Sequence, residues 1–412
     1  MKLMRPCILV AITTAKNKGL SNHSMKSTPF SSYAPPLSFW EREHYFQNLD
    51  ALVVGCGIVG LNAAIHLLEQ HPEWKILIID QGKLPQGAST KNAGFACFGS
   101  PTELLDDLEH RSPEQVFSLF ARRYQGIQAL KKRTSAFDIQ LNEDGGYEVF
   151  DSTKLHDSIN EDTLYYLNTE IEKYTGLHEY FSFRPDLLDK FGLQHFDQLI
   201  YTSHESSLNP MKMIAGLINI FQGMGGRILF STSLTHWEDA GHQVHVTLHE
   251  NLKFTCRKLI FAVNGFAPNL LPQLEVQSAR NQVLVLKTDV PLKIKGCFHF
   301  HKGYVYFRNV GDHLLIGGGR HLDITSENTL EWDFNPTITN YLIAFAERHL
   351  LQNIPYRITD HWTGILGLGP EKKPIIEMIS PSVAVAVRMG GMGVAIGTLV
   401  GQDVAELILL KK

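Results

Sequence analysis

Leu52-Val-Val-Gly-Cys-Gly-Ile-Val-Gly60, closed by an acid at Asp80, decides how this chain is read. The apolar run Ala51–Val54 has the composition of a buried parallel strand. Gly55, Gly57 and Gly60 then give G-x-G-x-x-G, and Ile58 and Val59 lead into an alanine- and leucine-rich helix over Leu61–Leu68. The first glycine permits a tight turn, the second admits a pyrophosphate to bare backbone, and the third lets helix and strand pack closely. The phosphates then sit at the positive helix N-terminus. A second apolar strand, Lys75–Ile79, ends at Asp80, followed by Gln81. An acid there is placed to accept hydrogen bonds from a ribose hydroxyl. A glycine-rich turn alone is weak evidence; strand, glycines, helix, strand and acid in this order predict a dinucleotide site.

The segment after Asp80 selects the dinucleotide. Gly87-Ala-Ser-Thr-Lys-Asn-Ala-Gly-Phe95 is small and polar, and reads as too irregular for a helix or strand. It suits a chain passing close under a second large aromatic group. On these residues the chain resembles the FAD-dependent amine and amino-acid oxidoreductases, the D-amino-acid oxidase, glycine oxidase and sarcosine oxidase superfamily. The resemblance implies that Ala88, Ser89, Thr90, Asn92 and Gly94 run from the ribityl chain to the isoalloxazine ring. It also implies cofactor contacts from Leu234, from Ala262, Asn264 and Gly265 after the strand Lys258–Val263, and from Gly390, Gly391, Met392, Gly393 and Val394. That last turn leads from a strand Val383–Val387 into a closing helix Thr398–Leu410, whose N–H groups face the flavin.

Composition sets the bounds. The chain has 412 residues, a formal net charge of −4 and dispersed basic residues, which gives nucleic acid nothing to recognise. Five widely separated cysteines without C-x-x-C argue against a disulfide framework or a zinc site, and fit a reducing, cytoplasmic setting. No metal site is expected. No stretch reads as the ~20 apolar residues of a membrane span. Residues 1–49 read as an N-terminal extension. Its Cys7–Ile12 run faintly resembles a signal peptide without a cleavage site, and Met25 is an alternative start.

The fold class read from this pattern is α/β: a Rossmann-like FAD-binding domain interleaved with an antiparallel-sheet substrate domain. The first is assigned 50–132, 201–277 and 356–412, the second 133–200 and 278–355. Strands Gly303–Arg308 and His313–Gly317, turning at Val310-Gly-Asp312, form the central hairpin of the substrate domain.

Three residues are candidates for the chemistry, the first of them by the resemblance. Tyr304 matches a tyrosine that contacts the substrate carboxylate in glycine-oxidase-like enzymes. Arg320, beside three glycines, offers a guanidinium that can hold a carboxylate through two parallel hydrogen bonds; a solvated strand-end arginine is the alternative. Lys91, in the ring loop, is placed to replace the lysine that helps oxygen react in the sarcosine-oxidase branch, where this chain has Leu315. A further departure is Trp362-Thr-Gly364-Ile-Leu366, which puts Leu366 where relatives carry a carboxylate-binding arginine. His299 and His301 would share a strand face but lack companion ligands. Covalent attachment of flavin through Cys97 is a minor alternative.

The sequence therefore predicts an FAD-dependent oxidoreductase that oxidises a C–N bond of a small amine or amino acid, passing electrons to oxygen or another acceptor. A 2-hydroxy-acid dehydrogenase and a flavoprotein subunit without turnover of its own are the rivals.

Overall fold

Leu49–Val54 lies at the centre of a first sheet, paired in parallel with Lys253–Phe261 on one side and Ile76–Ile79 on the other. The computed structural model describes residues 36–151, 159–351 and 353–410, so the signal-like run and Met25 lie outside the described residues. Val383–Val387 and Arg227–Leu229 extend the parallel sheet, and Ile375–Ser380 adds an antiparallel edge. All four residues of Ile76–Ile79 are buried, the pattern of a strand covered on both faces. Helices Ile58–Gln70, Pro113–Arg133 and Gly393–Leu410 belong to the core on one face, and the strands Leu234–Asp239 and Val244–Leu248 contribute to the core on the other.

The second sheet runs Tyr356–Leu368, Gln277–Thr288, His313–Gly318, Val305–Val310, Cys297–Phe300, Gly146–Phe150, Gln198–Thr202, Phe181–Phe183. Every neighbour is antiparallel except Cys297–Phe300 with Gly146–Phe150. One boundary needs correcting. Tyr356–Leu368, assigned above with 356–412 to the first domain, pairs along its length with Gln277–Thr288 in the second sheet. It meets the first domain over Trp362–Leu366: Trp362 reaches Lys91, and a Cβ on Gly265 would collide with the Leu366 carbonyl.

Three local readings also shift. Gly87–Phe95 contains a helical turn, Ala88–Lys91, because Thr90 Oγ1 bonds back to the Pro85 and Gly87 carbonyls. Asn92 closes that turn, donating to Ala88 O and Ser89 O and accepting from Gly94 N–H at 2.8 Å. The closing helix starts at Gly393, five residues earlier than read. It is also long and apolar enough to cross a membrane, with mean hydropathy 1.6, contrary to the expectation of no such stretch; 56% of it is buried inside the protein.

Residues directly opposite one another across a sheet share a face. Registers across the second sheet align Trp362, Val283, Gly317, Tyr306, His299 and Glu148 in one row. Val305, Phe307 and Leu284 face the opposite side, into a core shared with the helix Pro336–Ala346. The row therefore looks away from that core.

Candidate active site

The glycine turn borders a cavity of about 720 Å³, within the range of cofactor pockets. Gly55, Gly57, Ile58, Val59, Asp80 and Gln81 line it at one end. A Cβ on Gly57 would lie 2.8 Å from Ser89 Oγ, so the wall there must be bare backbone. Ser89 Oγ accepts Ile58 N–H at 2.9 Å, which fastens the ring loop to the first turn of the helix. The remaining N–H groups of that turn lack intrahelical partners, as at any helix N-terminus, and suit a pyrophosphate. Gly60 does not line the cavity. A Cβ there would strike the Gly55 carbonyl, so its role is close packing of helix on strand.

Asp80 lines the cavity, but its oxygens already accept two backbone N–H groups, from Cys56 and Gly82, each at 2.9 Å. Burial raises its pKa while those two hydrogen bonds lower it, the net shift being upward. Each carboxylate oxygen keeps a second lone pair for a ribose hydroxyl.

Further along, Ala88, Ser89, Lys91, Asn92, Leu234, Ala262 and Asn264 line the cavity with Gly391, Gly393 and Val394. Asn264 Oδ1 accepts Met389 N–H at 3.1 Å and so holds the entry to the closing helix. Thr90, Gly94 and Gly265 stand behind the wall: Thr90 folds the loop, and a Cβ on Gly94 would meet the Arg308 guanidinium at 2.7 Å. A bare-backbone glycine turn, an open helix N-terminus and a cavity of this size fit FAD.

A second cavity, of about 290 Å³, abuts the first. Lys91, Asn92, Leu366, Gly391 and Val394 line both, while Gly390, Met392, Val283, Tyr306 and His299 line only the second. Trp362 Nε1–H donates to Lys91 O at 2.9 Å and pins the dividing loop. Leu366, in the place of the family arginine, is thus an apolar residue on the shared wall. Leu315, in the place of the lysine, packs against Ala93 and Val283.

Two candidate residues fall elsewhere. Tyr304 is 41% exposed and packs against His301 and His321, outside both cavities. His301, Lys302 and Gly303 are all left-handed (φ 53°, 54° and 75°), and this turn breaks the strand alternation that would have aimed Tyr304 inward. Arg320 sits in a helical turn bonded to Asn328 Oδ1 and lines neither cavity, because the hairpin ends at Gly318 before reaching it. Cys97 lines only the second cavity, and burial holds its thiol well above the usual range.

Sequence reasoning missed Tyr306 and Glu103, and weighed His299 only as a metal ligand. The alternation of Val305 and Phe307 could have shown Tyr306. Burial lowers the His299 pKa to about 4, against the opposing pull of Glu103, so the imidazole is neutral. Burial works to raise Glu103, but Arg123 and Lys372 hold it below the ordinary carboxylate range. Trp332, Phe334 and His361 also line the first cavity, and their irregular or edge positions carried no sequence signal.

Among curated proteins, the chain is 23% identical over 390 residues to a probable oxidoreductase OrdL of Haemophilus influenzae, covering 91% of this chain and 85% of that one. Among solved structures it is similar to glycine oxidase from Geobacillus kaustophilus, with TM-score 0.69, 18% identity and 89% and 95% coverage. It is also similar to L-proline dehydrogenase from P. horikoshii, with TM-score 0.68, 14% identity and 89% and 94% coverage. The model of the DAO family, FAD dependent oxidoreductases, matches residues 50–407, and the chain belongs to that family.

Proposed function

We propose that this FAD-dependent oxidoreductase oxidises a carbon–nitrogen bond of a small amine or amino acid. The observation that carries this reading is the abutment of the two cavities through Lys91, Asn92, Leu366 and Gly391. A small substrate in the second cavity would present its α C–H directly to a ring held in the first. Bound FAD supplies the hydride acceptor. The chain's own residues orient the substrate and exclude water: Val283 and Leu366 give apolar walls, and Tyr306 and His299 give polar contacts. Lys91 makes no ion pair among the described residues and is the cation for any substrate carboxylate near the shared wall. The names of the structural neighbours, glycine oxidase and L-proline dehydrogenase, support amine chemistry. Anaerobic mixing with amines, D- and L-amino acids and 2-hydroxy acids tests the reading. Bleaching of the flavin by amines or amino acids alone is expected. Bleaching only by hydroxy acids, or by no member of the panel, would refute it.

A further inference from the structure

The charges of the second cavity are distributed unevenly. Among the residues lining it, Glu103 is paired with Arg123 at 3.0 Å. Lys302 is paired with Asp106 at 2.6 Å, and Lys372 with the neighbouring Asp107 at 2.7 Å. Each ionic group there already has its counter-charge. Apart from Lys91 on the shared wall, what remains open is neutral. The Tyr306 hydroxyl and the His299 imidazole have no hydrogen-bond partner among the described residues, and both line the cavity.

These two side chains are directly opposite across adjacent strands. The Phe95 ring contacts both edge-on, at 5.2 Å from His299 and 5.6 Å from Tyr306. Gly317 makes room for the tyrosine: a Cβ there would lie 2.7 Å from its hydroxyl oxygen. A phenol and a neutral imidazole each provide one donor and one acceptor. Together they complement a group that both accepts and donates. A carboxylate only accepts, so at this pair it would face the acceptor nitrogen of the imidazole; the cation open to it is Lys91, on the wall shared with the cofactor cavity. An ammonium only donates, so it would leave the donors of the phenol and the imidazole unmet.

We propose that Tyr306 and His299 form a specificity subsite for an uncharged carboxamide arm of the substrate. The subsite rests on the amine-oxidising reading for its role in turnover, but its ligand chemistry is testable without turnover. The FAD-loaded protein is titrated with butanamide and with butanoate, and binding is read from the shift of the visible flavin band. Butanamide is expected to bind through the Tyr306–His299 pair, and butanoate through Lys91 on the shared wall. Tyr306→Phe and His299→Leu are each expected to weaken butanamide about three- to tenfold, with butanoate unchanged. His299→Gln, which keeps a donor and an acceptor, should restore most of the loss. This rescue separates hydrogen bonding from packing. Variants that weaken both probes alike, or that leave butanamide binding unchanged, would overturn the subsite. If butanamide binding depends on the pair in this way while no amine bleaches the flavin, the subsite stands and the amine-oxidising reading falls.

Discussion

Trp362 donates its indole N–H to the Lys91 carbonyl, so an edge strand of the antiparallel sheet holds the loop that divides the two cavities. The contact fixes the backbone of Lys91 and leaves its ammonium without an ion pair among the described residues. With Leu315 filling the position where some relatives carry a lysine, that ammonium is the uncommitted cation at the shared wall. Lys91→Met is therefore expected to slow reoxidation of the reduced enzyme by oxygen about tenfold or more, the scale of losing one preorganised electrostatic contact. Stopped-flow reoxidation of the two proteins measures it, and equal rates would remove Lys91 from that role.

Gly57→Val should leave the protein without bound flavin. The new side chain would enter the space beside Ser89 Oγ and displace the loop from the helix it fastens. Flavin absorbance per chain after gel filtration reads the effect, and full retention would contradict the placement of the pyrophosphate.

Arg320→Leu is expected to change kcat/KM by less than about twofold, as for a surface substitution away from the site. Arg320 lines neither cavity, and its guanidinium is engaged with Asn328. A loss of tenfold or more would place it at the substrate after all.

The buried pair Arg280–Glu327 joins strand Gln277–Thr288 to the segment that carries Trp332 and Phe334 to the cofactor cavity. Glu327→Ala strands a buried guanidinium and should cost about 3–5 kcal/mol in chemical denaturation. FAD affinity should fall with it, because two aromatic walls lose their anchor.

Glu205 supplies a pH test. Burial raises its pKa from 4.5 to about 7, although the Phe98 and Gly99 N–H groups and the Cys97 and Tyr180 side chains bond to it. Between those values the unfolded chain releases a proton that the folded chain retains, so stability is lost as pH rises through this window. The shift corresponds to roughly 3 kcal/mol once the window is passed. Glu205→Gln should raise the unfolding midpoint at pH 8 and leave it nearly unchanged at pH 4.5. The opposite ordering would show that the carboxylate is stabilised where it lies.

The nucleotide half of the site was legible because its signals are local. Gly55 to Gly60 and Asp80 are joined by a single strand–helix–strand unit, and the chemistry of each residue follows from its spacing. The substrate half depends on register across strands far apart in sequence. Tyr304 and Tyr306 share a parity in the chain, and only the left-handed turn at His301–Gly303 decides which one faces the cavity. His299 gains meaning from being opposite Tyr306, a relation that a single strand cannot display. Arg320 attracted attention as a guanidinium beside glycines, but the hairpin ended two residues too soon.

The cofactor cavity draws its lining from Val54 at one extreme and Val394 at the other. During synthesis the glycine turn therefore emerges long before the residues that complete the enclosure. FAD recognises only the assembled space, so its binding free energy adds to the stability of the whole fold and does not reward the early strand–helix unit alone. Vitamin supply then becomes a folding variable: in riboflavin-starved cells this chain should accumulate in a protease-sensitive form, and refeeding should rescue newly made and recently made copies alike.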